Sequence, residues 1–365
     1  MERFLLELLP NRVRRNYRGG AEIDRLQGAA NCIDSNRPEE WIASLVGAKN
    51  PGLPIVENEG FSLCRVDGAA LPLKDIIAAA PEFYLGDERF RKRGTDLGFL
   101  LKILDSSMRL HVQVHPTADF AVKHLGSRYG KLETYYILSV RDGVDPYIRL
   151  GFQHLPSREQ WRRIIETQDI AAMDACFEKV PVTPGDVWFI PGGMPHAIGE
   201  NVLMLEIMEP SDLVVRCEFE REGITVPPAA RFMGRGLDFC LDIFHYEQKS
   251  VAEVCGNNRV TPVLLEESEA GTVEELVGNR VTGNFRVLRV KLGAENRSSQ
   301  GVTLKLGAPA AAVVSSGGAW FSCGGERLAL RQGRSLFAAA AGGFLTMGNQ
   351  APQQTEVCLV VSGVV

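Results

Sequence analysis

The sequence predicts a mainly β chain in two lobes, with a small helical insertion in the first. Three observations carry that reading. Short runs of branched and aromatic residues alternate with Gly and Pro turns in "LETYYILSV" (132–140), "IRLGF" (148–152) and "VPVTPGDVWFIPGGMPHAIG" (180–199), which is strand–turn–strand chemistry. Past residue 255 the composition shifts. "FRVLRVKL" (285–292) alternates with period two, and short strands split by Gly and Ser follow, so residues 256–365 read as a separate β-sandwich lobe. Between these, "PSREQWRRIIETQDIAAMDACFEKV" (156–180) spaces Trp161, Ile164 and Ile165 as a helix does, behind a Ser157/Gln160 capping box.

The other elements follow in order. "LKDIIAAAPEFYLG" (73–86) reads as a helix ending at Gly86, and "GFLLKILDSS" (98–107) as an apolar run broken by Lys102. "LHVQVHP" (110–116) is a strand stopped by Pro116, and "ADFAVKHLG" (118–126) a short helix closed by Gly126. "VLMLEIMEPSDLVVRCEF" (202–219) is two strands around a Pro-Ser-Asp turn, and "ITVPPAARFMGRGLDFCLDIF" (224–244) a partly helical crossover.

Bulk properties exclude several roles. The formal net charge is −5 and no long basic stripe occurs, which argues against a nucleic-acid partner. The short cationic runs "RVRR" (12–15) and "RFRKRG" (89–94) read as solvated surface. Eight cysteines are scattered with no C-x-x-C pair, which suits a reducing compartment. "MERFLLELLP" carries Glu7 inside its apolar run and makes a poor signal peptide. No stretch is long enough to span a bilayer. A cytoplasmic protein, monomeric or weakly dimeric, is expected.

Candidate metal ligands sit on several predicted strands. His111, Gln113 and His115 alternate, so their side chains share a face opposite Val112 and Val114. Glu133 opens the aromatic strand, and His196 follows the Pro-Gly-Gly turn. Two imidazoles, a carboxylate and an amide suit Zn²⁺ with an open coordination position; two His and one carboxylate also hold Fe(II) or Mn²⁺. The C-terminal lobe contains no histidine, so an imidazole-ligated metal belongs to the first lobe. His124, His154 and His245 receive no role. For His111 a place in the substrate pocket is favoured over ligation, with a plain structural role as the alternative. The segment "PGDVWFIPGGMPHAI" (184–198) has the turn pattern of the second signature half of a cupin barrel, although a simple hairpin shares it.

At this point the sequence resembles a known family, the type I mannose-6-phosphate isomerases (phosphomannose isomerases) of the cupin superfamily. The motifs run in order through residues 1–220: Leu100-Leu101-Lys102-Ile103-Leu104, Gln113-Val114-His115-Pro116, Lys131-Leu132-Glu133 followed by "TYYIL", the Pro-Gly-Asp segment ending in His196-Ala197-Ile198, and Glu206 followed by Ser211-Asp212 and Arg216. The resemblance implies a cupin (jelly-roll) barrel over residues 1–255 and a cupin-like lobe without a metal site over 256–365. It implies one Zn²⁺ per chain, or another divalent ion, on Gln113, His115, Glu133 and His196. It further implies a pocket arginine at Arg216, pocket lysines at Lys102 and Lys131, and a pocket carboxylate at Glu206. Three positions depart from the family: His111 stands where a small hydroxyl residue is usual, Tyr17-Arg18-Gly19-Gly20 replaces a Trp-Gly-Gly motif, and Glu222 stands where some relatives carry lysine. These leave the metal set intact and put sugar and phosphate specificity in question.

The implied reaction interconverts mannose 6-phosphate and fructose 6-phosphate through an enediol. It needs positive charge for the developing oxyanion, a general base near C1 and C2 and a cationic grip on phosphate. Glu206, a metal-activated water and Lys131 are the candidate bases; Arg216, Lys102 and His111 are the candidate substrate contacts. Two alternatives stand beside an isomerase for mannose 6-phosphate: a non-catalytic sugar-phosphate-binding regulator, and an isomerase for another sugar phosphate. An iron-dependent oxygenase fits the two His and one Glu but leaves Gln113 and the lysines without a purpose.

Overall fold

The computed structural model describes residues 2–294 and 301–363. The chain is mainly β. A five-stranded, a seven-stranded, a nine-stranded and a four-stranded sheet carry the architecture, with a small ribbon at Glu220–Arg221 and Ile224–Thr225. Apolar cores show how the sheets stack. Leu104, Tyr135 and Trp188 of the seven-stranded sheet meet Ile148, Leu150 and Ile198 of the five-stranded sheet. Leu101, Ile103 and Leu205, on the other face of the seven-stranded sheet, meet Val287, Val313 and Val360 of the nine-stranded sheet. The far face of the nine-stranded sheet packs Val290, Ala312 and Leu359 against Phe321, Leu345 and Met347 of the four-stranded sheet.

This stacking explains why the central signature strands lack a solvent-exposed face. Strand Leu100–Ser106 is buried at every position, as is Val202–Met208, because each is covered on both sides. Side-chain parity then divides the residues. Leu101, Ile103, Leu205 and Ile207 turn toward the nine-stranded sheet. Lys102 and Glu206, at the alternate positions, turn into the space facing the five-stranded sheet. In that sheet Val112, Val114, Ala197 and Val215 turn outward, against Trp161, Ile165 and Phe244. Gln113, His196 and Arg216 therefore turn inward.

The helical insertion forms as Arg158–Thr167, with the Ser157/Gln160 capping box, and Ile170–Ala175. It covers the outer face of the five-stranded sheet. The expected helix over 73–86 is two helices, Leu73–Ala79 and Pro81–Leu85. Pro81 disfavours helical backbone at the residue before it, and Ala80 sits at φ −148°, ψ 63°. Regular pairing of the strand expected over 110–116 is confined to Gln113–Val114.

The expected division at residue 255 is crossed by the chain. Residue 255 lies inside helix Val251–Asn258, and Arg259–Val260 pairs with Val187–Trp188 of the first lobe. Conversely, Leu5–Leu8 pairs with Ser335–Ala338, and Leu63–Val66 and Ala69–Pro72 extend the same sheet. The nine-stranded sheet thus takes three strands from the N-terminal region, because strand edges need backbone partners whatever their position in the chain.

Two cationic runs expected on the surface are partly interior. Arg89 is buried, and donates to the Gly363 carbonyl (2.6 Å) and the Asp96 carbonyl (3.0 Å). Arg15 is buried among carboxylates. Composition along the chain does not show that a cation has a buried acid elsewhere to meet.

Candidate metal centre and cavity

Neighbouring strands of the five-stranded sheet place three inward groups at one height. His196 pairs in register with Gln113, and Gln113 with Arg216. Across the interior, the seven-stranded sheet sets Glu206 opposite Lys102 and Tyr135, and Met208 opposite Glu133. The Pro-Gly-Gly turn is pressed onto the Gln-Val-His-Pro turn. Gly193 N–H donates to the His115 carbonyl (2.7 Å), and a Cβ on Gly192 would lie 2.7 Å from the Pro116 carbonyl oxygen. The glycines permit that approach, and it brings His115 and His196 together.

The ligating atoms of His115, Glu133 and His196 lie within 4.8 Å of one another, and all three residues are buried. Each imidazole is oriented from behind. Nδ1 of His115 is 2.8 Å from the Leu213 carbonyl and Nδ1 of His196 is 2.9 Å from the Met194 carbonyl. A carbonyl only accepts, so both Nδ1 atoms carry the proton and both Nε2 lone pairs are free for a cation. Those Nε2 atoms approach Glu133, at 3.0 Å from Oε1 and 3.5 Å from Oε2. Tyr135 OH donates to Glu133 Oε2 (2.6 Å). The Gln113 carboxamide is 3.3 Å from His196 Nε2. Lys131 Nζ lies 2.7 Å from Glu133 Oε1 and 3.1 Å from His115 Nε2, so this donor set already attracts a cation.

Electrostatics agree with that geometry. Burial pushes His115 down to about 3, with Lys131 adding to the effect, so the imidazole is neutral as a ligand must be. Burial alone would raise the Glu133 carboxyl, but Lys131 and His115 together hold it well below the usual range. Two imidazoles with their Nε2 lone pairs turned inward, an ionised carboxylate and an amide oxygen fit Zn²⁺ with room for a further ligand.

Beside this cluster is a cavity lined by Arg15, Lys102, His111, Lys131, Glu206 and Arg216, with Tyr17 and Glu39. Lys102 Nζ is 2.6 Å from Glu206 Oε2 and 3.6 Å from Glu39 Oε2. Glu39 also accepts from Tyr17 OH and Trp41 Nε1, both at 2.7 Å. Burial would raise Glu39, yet Arg15 and Lys102 hold it down at about 2. Glu206 is raised instead, by burial and then by nearby Glu133 against the pull of Lys102. Arg216 is pushed down to about 10 by burial and by Arg15. Its guanidinium donates to the Ala230 carbonyl (2.8 Å) and, among the described residues, pairs with no carboxylate. Asp212, a potential partner for Arg216, pairs with Arg15 (3.1 Å).

The structure therefore gathers all nine sequence-predicted site residues, His111 included, around one centre and one cavity. Sequence reading missed Arg15 and Glu39. The available signal was parity: Glu39 shares a strand face with Trp41, whose ring centroid lies 5.3 Å from Lys102 Nζ, and Arg15 stands two residues beyond the buried Val13.

Superposition on solved structures decides the fold. A mannose 6-phosphate isomerase from Bacillus subtilis aligns with a TM-score of 0.71 at 16% identity, over 98% of this chain and 99% of that one. This chain has the phosphomannose isomerase fold. A zinc-bound mannose 6-phosphate isomerase aligns with a TM-score of 0.70 at 16% identity, over 99% of this chain and 100% of that one. In sequence, the mannose-6-phosphate isomerase of Streptococcus mutans is 31% identical over 185 residues, 50% of this chain and 52% of that protein. Across the curated relatives that match, the aligned segments span 35% to 52% of the relative's length. No family model matches the chain. Within the phosphomannose isomerase fold, strand parity accounts for the inward placement of Gln113, Glu133 and His196, and the turn after Val114 carries His115 to them.

Proposed function

We propose that the protein is a zinc-dependent aldose–ketose isomerase interconverting mannose 6-phosphate and fructose 6-phosphate. One observation carries the reading: two imidazoles, held by carbonyls with their lone pairs toward one carboxylate, border a buried cavity furnished with Lys102, Lys131, Arg216 and Glu206. His115, Glu133 and His196 would hold the ion, with Gln113 as a fourth ligand. Bound there, zinc supplies positive charge to the substrate oxygens as the carbonyl migrates.

The chain's own groups supply the rest. Glu206, its proton affinity raised by burial, is suited to take the proton from one carbon and return it to the neighbour. Glu39, held ionised, instead fixes Lys102 and Arg15 in place. Lys131 adds positive charge beside the metal cluster. Arg216, with no carboxylate partner among the described residues, is the cation available to the substrate's anionic groups. The free state of all eight cysteines supports a reducing, cytoplasmic setting. Metal chemistry is assigned to the N-terminal unit, and the β-sandwich core of the C-terminal lobe is given none.

A coupled assay from mannose 6-phosphate to fructose 6-phosphate tests the reading. Turnover lost to chelator and restored by zinc is expected. A folded, zinc-loaded sample without turnover would overturn it. His111, lining the cavity in place of a small hydroxyl residue, favours one second reading, an isomerase for a different sugar phosphate, and the same assay on other aldose phosphates separates the two.

A further inference from the structure

Two of the residues that line the cavity each carry a buried polar atom with no hydrogen-bond partner among the described residues, Arg15 Nη1 and His111 Nε2. Both residues are more than nine-tenths buried, at 8% and 5% exposure. Leaving a buried guanidinium donor unsatisfied is costly, so such an atom points to a partner supplied from outside. The rest of the Arg15 guanidinium is fixed from two sides: Nε is 3.2 Å from Glu39 Oε1 and Nη2 is 3.1 Å from Asp212 Oδ1. Trp41 lies against it, with the guanidinium carbon 5.7 Å from the ring centroid. Arg15 is therefore oriented in advance, with one nitrogen left over.

Arg216, four residues beyond Asp212, lines the same cavity and is close enough for Arg15 to weaken its hold on a proton. Four cations (Arg15, Lys102, Lys131 and Arg216) and two carboxylates (Glu39 and Glu206) line the space. Asp212 and Glu133 engage Arg15 and Lys131 from beside it, which leaves Arg216, without a carboxylate partner among the described residues, and the spare Arg15 N–H to meet a phosphate ester dianion.

We propose that Arg15 is a substrate-binding residue that sets specificity, its free Nη1–H acting with Arg216 as a two-guanidinium clamp on the phosphate of the substrate. This rests on the sugar-phosphate reading of the cavity. It differs from a purely structural role, in which Arg15 only braces Glu39 and Asp212. Bracing alone would alter turnover and leave phosphate affinity untouched.

The test uses the full-length zinc-loaded protein with Arg15→Lys and Arg15→Gln. Arg15→Lys keeps a cation between the two acids and removes the guanidinium fork; the comparison is made with whichever variant retains the wild-type circular dichroism spectrum. Inorganic phosphate binding is measured by calorimetry, and mannose 6-phosphate kinetics in the coupled assay. Loss of the clamp weakens phosphate binding by about tenfold or more and raises KM by a similar factor, with kcat changed by less than about threefold. Unchanged phosphate affinity, or a wild-type protein that binds no phosphate, would overturn the proposal. Phosphate binding that depends on Arg15 in a protein without mannose 6-phosphate turnover would uphold the clamp and remove the isomerase reading, so the two stand or fall separately.

Discussion

Glu206 Oε2 lies 2.6 Å from Lys102 Nζ, across directly paired strands and with both residues almost wholly buried, at 3% and 1% exposure. Burial works against either charge alone. Lys102 stays above its ordinary proton affinity because Glu206 and Glu39 outweigh desolvation.

Breaking this pair leaves an uncompensated buried charge. Lys102→Ala is expected to destabilise the fold by about 3–5 kcal/mol. The double variant Lys102→Met with Glu206→Leu should be less destabilised than Lys102→Ala, because no charge is left alone. Urea unfolding of each variant gives the comparison, and a double variant as unstable as Lys102→Ala would refute it.

Glu133 makes the carboxylate contact to both imidazoles, and its alanine variant should lose metal retention and, with buried Lys131 left unpaired, melt at a lower temperature while still folding. The separate apolar core between the nine- and four-stranded sheets includes none of the metal-site residues. Activity is expected to fall by about a hundredfold or more. Plasma mass spectrometry reads the metal, and a circular dichroism melt reads the fold.

His111 is pushed from 6.5 down to about 4, chiefly by burial and then by Arg216. The unfolded chain thus binds a proton that the folded chain refuses between those two values, and stability falls as pH drops through that window. His111→Gln removes this contribution, which reaches up to about 3 kcal/mol at the acid end. Chemical denaturation at pH 7 and pH 4.5 should show a smaller acid loss in the variant than in the wild type.

Gly193 sits at φ +85°, and an added Cβ would lie 2.6 Å from the His245 ring. Gly193→Ala is expected to cost about 1–3 kcal/mol from backbone strain and, by shifting the Pro-Gly-Gly turn that precedes His196, to weaken metal affinity by about tenfold or more. Competition with a chromophoric chelator measures the second effect. An unchanged affinity would mean that the turn does not position the imidazole.

Much of the site was legible before any fold was known. Alternation in His111-Val112-Gln113-Val114-His115, the Pro-Gly-Gly turn before His196 and the Lys-Leu-Glu entry to the aromatic strand specify the polar residues and their side of each strand, because strand parity is local. The capping box at Ser157 and the period-two run over 285–292 are local for the same reason, and both elements formed as expected.

What stayed hidden depends on distance in space. Nothing near Arg15 in the chain announces that Glu39 and Asp212 will close around it, so a run of basic residues looks like surface until the acids arrive from other strands. The tautomers of His115 and His196 are set by carbonyls of Leu213 and Met194, and that of His115 comes from almost a hundred residues away. A lobe boundary read from composition falls inside helix Val251–Asn258, because composition reports which segments are apolar and cannot report which sheet edge will accept them. The local pattern determined which residues turn inward. Only the stacking of the sheets decided which of them meet, since burial, charge pairing and edge pairing are properties of the assembled interior.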